Sequence, residues 1–153
     1  MKFEKVSKEE YSKHESVGYE NVVIPKRSTS GSAGYDFTTP VTFYVKAHQR
    51  TSLIPTGIRC QIDDGYVLLI FVRSSIGIKQ GLVLSNGTGV IDSDYYHADN
   101  EGHIMFSLYN PTDQDIVIQA GTRIMQGVFV KYGTVDDEEE NTTFRFGGFG
   151  STN

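Results

Sequence analysis

Tryptophan is missing from this chain, cysteine occurs once and proline four times, and no apolar run reaches bilayer length. Each shortage excludes something. A single cysteine, Cys60, allows no intrachain disulfide, so a core rather than staples must hold the fold, and the chain suits a reducing compartment. The longest apolar run, Val67 to Val72, is far short of the roughly 20 residues a membrane helix needs. The opening M-K-F-E-K-V-S-K-E-E-Y lacks the apolar stretch of a signal peptide, so the expected location is the cytoplasm. Basic residues are also scarce: 14 Lys and Arg against 19 Asp and Glu give a net charge of −5. That balance speaks against a broad footprint for nucleic acid or an anionic membrane, and any anionic ligand must be met by a few placed cations.

What is present reads as an all-β domain. The 153 residues suffice for one core. Short alternating or wholly apolar runs are separated at close intervals by Gly, Pro, Asn and Asp, which predicts a β-barrel or sandwich. Val41, Phe43 and Val45 alternate with Thr42, Tyr44 and Lys46, and Ile104, Phe106 and Leu108 with Met105, Ser107 and Tyr109, so each run can bury one face. Tyr66 to Val72 is apolar on both faces and reads as a central strand. Turns are expected at Asp63-Asp64-Gly65, Asn86-Gly87, Asn110-Pro111 and Ala120-Gly121. Only Ser7 to Lys13 has the look of a helical turn. The folded domain is expected over residues 1–135, ending near Tyr132. Residues 136–153, an acidic linker D-D-E-E-E followed by the Gly-rich R-F-G-G-F-G-S-T-N, are expected to form a flexible C-terminal arm.

Five segments ask for more than a structural explanation. S-A-G-Y-D-F (Ser32 to Phe37) allows close backbone approach beside an Asp, although a tight turn entering a strand accounts for it alone. V-R-S-S-I-G (Val72 to Gly77) ends a buried strand in a guanidinium and two hydroxyls, a set that matches phosphate oxygens or, equally, a surface ion pair. N-G-T-G-V-I-D-S-D-Y-Y (Asn86 to Tyr96) reads as a Gly-rich hairpin that can offer backbone groups to a flat base. Behind it stands D-x-D, two like charges sharing a face if the chain is extended; an Asp there can take a proton from water. G-T-R-I-M-Q-G-V-F-V (Gly121 to Val130) carries Arg123 and Gln126 on a strand that is mostly structural. The arm offers glycine amides for an anion and Phe149 for stacking on a base, against the plain alternative of a disordered end.

His97, Asp99, Glu101 and His103 alternate and would share one face of a strand as metal ligands do, but the Gly and polar residues among them predict a solvated loop. Neither a Walker pattern nor a G-x-G-x-x-G opening a helix is present.

Taken in order over Val23 to Thr152, the five segments resemble the five motifs of the homotrimeric dUTPase family. That resemblance implies a jelly-roll-type β-barrel and hydrolysis of dUTP to dUMP and pyrophosphate, which keeps uracil out of DNA and supplies dUMP for dTMP synthesis. It makes Asp92 the catalytic carboxylate, activating water for attack on the α-phosphorus, and places Tyr95 under the deoxyribose, where a 2′-hydroxyl would clash. Asn86, Gly89, Val90 and Ile91 would read uracil, with Met105 adjoining. Arg73, Ser74, Ser75 and Gln126 would contact phosphates. Arg145 and the segment Phe149, Gly150, Ser151 and Thr152 would close over the nucleotide. Asp36 and Asp94 match supporting acidic positions that orient neighbours and the water shell of the metal. Mg²⁺ would be held mainly by the triphosphate and water, with no protein ligand assigned. The implied assembly is a homotrimer with sites between subunits, each arm closing a neighbour's pocket. Three features depart from the family pattern: the turn Y-H-A-D-N-E-G after Asp94-Tyr95 is longer than the usual Y-x-G, the arm is one residue shorter between Arg145 and the glycines, and Ser75 stands where many relatives have Gly.

Two other readings compete. A dCTP deaminase shares the barrel but typically carries I-D-P-G where this chain has I-D-S-D-Y. A jelly-roll module that binds nucleotide or protein without turnover would have no use for a placed base.

Overall fold

The structure, a computed structural model, describes residues 1–137 and 147–148. In chain order the elements are β1 (Lys2–Lys5), α1 (Lys8–Ser12), β2 (Lys26–Arg27), β3 (Tyr35–Thr38), β4 (Phe43–Val45), β5 (Ile54–Gln61) and β6 (Tyr66–Val72). There follow α2 (Ser74–Gln80), β7 (Val83–Leu84), β8 (Gly89–Ile91), β9 (Ile104–Phe106), β10 (Leu108–Tyr109), β11 (Ile116–Ile118) and β12 (Arg123–Lys131). One-turn 3-10 helices occur at Tyr19–Asn21 and Ser93–His97. Among the described residues no helix is long and apolar enough to cross a membrane.

The expected all-β architecture is observed. A five-stranded sheet runs β2-β3-β12-β6-β8, and a three-stranded sheet runs β1-β5-β9, with the pairs β10-β7 and β11-β4 beside them. Strand β6 lies between β12 and β8 with both edges paired, the central position its apolar run predicts; Val67, Leu68 and Ile70 are buried, while Phe71 is exposed. The alternation at Ile104, Phe106 and Leu108 is realised: all three are buried, as are Phe37, Val45, Leu68, Ile118 and Ile124 around one core. Removing this apolar surface from water, at about 25 cal/mol per Å², is the main force closing the sheets over one another. Cys60 lies inside this core, and burial pushes its thiol up to about 12, so it is an inert packing residue.

Helix α1 falls where Ser7 to Lys13 predicted it, capped by the Ser7 hydroxyl, which accepts the Glu10 amide. Helix α2 was not expected. The residues after Arg73 read as the end of a strand, yet they turn into a helix that buries Ile76 and closes on Gly81 in the left-handed conformation, whose amide bonds back to the Ile76 carbonyl. The segment around Asn86 is also not a hairpin: β7 pairs with β10 while β8 pairs with β6, so the turn at residues 85–88 carries the chain from one sheet to another. Asp92 and Asp94 therefore do not share a strand face, because Asp92 is the extended residue before the 3-10 turn that contains Asp94. The stretch after Tyr96 is not a solvated loop throughout either: Ala98 is buried and His103 has no exposed surface.

Candidate active site

A cavity of about 330 Å³ opens between β8 and β9, each of which is the outer strand of its own sheet. An outer strand has one side of its backbone uncommitted to a sheet neighbour, so the two strands can offer peptide N–H and C=O groups to a planar ligand. Asn86, Gly89, Val90, Ile91, Asp92, Tyr95 and Met105 line it, together with Thr88, Ile104 and Gly148. The cavity adjoins an apolar recess of about 240 Å³ that shares five of these residues and adds Leu53, Ile70, Phe106 and Met125. Its size fits a small organic ligand.

Local structure fixes the lining. Gly89 lets β8 approach β6 closely, since a β-carbon there would stand 3.1 Å from Cβ of Ile70. The chain then leaves the sheet at Asp92, and the 3-10 turn brings Tyr95 inward, 5% exposed. The Tyr95 hydroxyl donates to the His103 carbonyl at 2.8 Å and accepts from the Asn100 side-chain amide at 2.8 Å. Gly148 packs on the same ring, with an added β-carbon falling 2.7 Å from its Cε2. In the single chain Gly148 thus meets its own Tyr95, whereas the expected closure concerns a neighbour's pocket. Arg145, Phe149, Gly150, Ser151 and Thr152 lie outside the described residues.

A second group of predicted residues is assembled elsewhere. Asp36, on β3, accepts from Arg73 Nε at 2.9 Å, from Arg123 Nη1 at 3.2 Å and from the Ser28 hydroxyl at 2.7 Å. Gln126 sits opposite Asp36 in the β3–β12 register, and Gly34 leaves room for it, since a β-carbon there would lie 2.7 Å from Oε1 of Gln126. Arg73 precedes α2, and Ser74 and Ser75 form that helix's first turn, where amide groups have no intrahelical acceptor. Asp94 is exposed beside Tyr95 and does not line the cavity.

These two groups do not meet within one chain. Register pairs Ile91 with Leu68, which carried one residue on sets Asp92 beside Val67, and Arg73, the residue after β6, stands six residues farther along the chain. At about 3.3 Å per residue that is roughly 20 Å, far beyond the span of one triphosphate.

Sequence reasoning missed Thr88, Ile104 and Gly148 in the cavity, and also a cluster of Glu10, His14 and His103 whose ligating atoms lie within 4.8 Å of one another. The signal for the latter was Glu10 and His14 at helical spacing.

A family model described as dUTPase matches residues 20–153. The chain belongs to the dUTPase family. The deoxyuridine 5′-triphosphate nucleotidohydrolase of Lactococcus lactis is 48% identical over 131 residues, 84% of this chain and 87% of that one. The crystal structure of dUTPase from Streptococcus mutans superposes with a TM-score of 0.74 at 39% identity, covering 89% of this chain and 99% of that one. A point mutant of Staphylococcus bacteriophage 80alpha dUTPase, described with dUpNHpp, superposes at 0.70 over 94% of this chain and 96% of that one; at 22% identity this is a likeness of fold. The jelly-roll-type barrel is thus the dUTPase fold, and the four sheets described above are its strands.

Proposed function

We propose that this chain is a cytoplasmic dUTP diphosphatase, working as a homotrimer that hydrolyses dUTP to dUMP and pyrophosphate and so limits uracil in DNA while supplying dUMP for dTMP synthesis. The observation that carries the proposal is the cavity between two outer strands with Asp92 on its wall and Tyr95 as its buried side. Uracil lies against the backbone of Gly89, Val90 and Ile91, near Asn86 and Met105, and Tyr95 packs under the sugar. Asp92 accepts a proton from a water and holds it in line with the α-phosphorus; the bond to the bridging oxygen breaks, and pyrophosphate leaves.

The roughly 20 Å between Asp92 and Arg73 supports sites built between subunits. The cavity of one chain would then be completed by Arg73, Ser74, Ser75 and Gln126 of another, and by Arg145 and residues 149–152 of an arm. The Asp36 carboxylate already serves three donors, so it orients Arg73 and is poorly suited to hold a cation. Among the described residues Asp92 is the one carboxylate lining the cavity, so magnesium would be carried by the triphosphate and water, where it offsets phosphate charge. Asp94 would orient that water shell from its exposed position.

A pyrophosphate assay across dUTP, dTTP, dCTP and UTP, with and without Mg²⁺, tests this. Release from dUTP alone, dependent on Mg²⁺, is expected; ammonia from dCTP would make the chain a deaminase, and binding of dUTP without turnover would make it a binding module.

A further inference from the structure

Three side chains of the N-terminal segment, spaced three apart, each engage a residue of the stretch that follows Asp92. Glu4 accepts from the hydroxyl of Tyr96, whose ring is covered by the Arg59 guanidinium 4.5 Å from its centre. Ser7 gives its amide and its hydroxyl to the carboxylate of Glu101, at 2.8 and 2.6 Å. Glu10, itself buried, sets Oε1 3.7 Å from Nδ1 of the buried His103. All three anchors precede residue 20, where the family match begins.

The stretch so held has a shape that a free loop would not keep. Glu101 stands at φ +58, a region unfavourable for a residue with a β-carbon. Gly102 follows at φ +69, where a β-carbon would lie 2.7 Å from the Tyr95 carbonyl oxygen and 2.8 Å from Cα of Tyr96. The chain therefore folds back onto Tyr95, and two partners of the Tyr95 hydroxyl, His103 and Asn100, belong to it. We infer that residues 4–10 form a clamp which, through residues 96–103, sets the ring of Tyr95 and with it the preference for deoxyribose over ribose. The inference rests on the placement of Tyr95 under the sugar proposed above.

Glu10, His14 and His103 also invite a zinc reading, which the tautomer opposes. Nε2 of His103 accepts the Gly57 amide at 3.0 Å and so carries no proton; the proton of the neutral ring is on Nδ1, the atom facing Glu10. A metal at Nδ1 would displace that proton with no place for it on Nε2, whereas metal-bound histidines ordinarily donate their second N–H outward. At 3.7 Å the Nδ1–H of His103 is too far from Glu10 for a hydrogen bond, so the third link of the clamp is a buried packing contact rather than a bond.

The test uses the full chain with Glu101→Gly, since glycine accepts the left-handed backbone and Ser7, whose hydroxyl also caps α1, stays in place so that only the tether is lost. Steady-state kinetics with dUTP and UTP should show the dUTP preference falling about tenfold, mostly through a higher KM for dUTP, as expected when a wall group shifts slightly. Glu101→Gln, which keeps an acceptor oxygen for Ser7, should restore most of the preference. A lower melting temperature with the wild-type preference intact would reduce the segment to a structural brace and overturn the inference. A zinc-dependent rise in melting temperature, lost in Glu10→Gln, would overturn the assignment of the third link. Wild-type protein that hydrolyses UTP as well as dUTP would instead refute the sugar placement itself.

Discussion

The hydroxyl of Tyr95 donates to the carbonyl oxygen of His103 at 2.8 Å, tying one wall of the cavity between β8 and β9 to a residue with no exposed surface. The wall is therefore anchored to the core through the stretch that follows it. In Tyr95→Phe the ring would remain, but the His103 carbonyl and the Asn100 amide would lose their partner in a buried place. A loss of about 1–3 kcal/mol in urea unfolding is expected, together with a lower kcat/KM for dUTP. Unchanged stability would mean that the bond is not made in solution.

Asp36→Asn tests the second group. The carboxylate collects Arg73, Arg123 and Ser28, and an amide of the same shape removes the charge that holds the two guanidinium groups. With Arg73 no longer oriented, KM for dUTP should rise about tenfold with kcat changed far less, if the Arg73 contact is made equally in the ground and transition states. A KM within the error of wild type would remove Arg73 from the phosphate site.

His103 predicts a pH dependence of stability. Burial, with His14 beside it, pushes the ring's pKa down to about 4, while Glu10 opposes the shift. Between that value and the ordinary 6.5 the unfolded chain binds a proton that the folded chain does not, so stability falls as pH drops through this window. The slope should approach 1.4 kcal/mol per pH unit, roughly, in urea midpoints, and His103→Gln should flatten it. Glu4 acts lower: its hydrogen bond from Lys2, and then that from Tyr96, hold it at about 2, so its contribution is lost only below the ordinary carboxylate value of 4.5.

Local pattern made much of this legible. The double-faced apolar run of β6 announced a central strand, and the alternation at Ile104, Phe106 and Leu108 announced a buried face. The cavity residues stood together in sequence because a turn and an outer strand carry most of them. What stayed hidden depends on distant partners. Helix α2 forms because Ile76 finds the core and Gly81 closes the last turn, although Ser, Ile and Gly are weak helix formers. The burial of His103 follows from the Gly57 amide, 46 residues away in sequence. Nor could the motif order show that Asp92 and Arg73 sit at opposite ends of one strand's register.

The most direct test of the central claim is a single turnover of dUTP in ¹⁸O-water, with both products weighed by mass spectrometry. Attack on the innermost phosphorus, prepared by Asp92, places the label in dUMP and none in pyrophosphate, and Asp92→Asn should slow the turnover by about 10²-fold or more while dUTP still binds. Label in pyrophosphate, or an Asp92→Asn protein that turns over at the wild-type rate, would contradict the account.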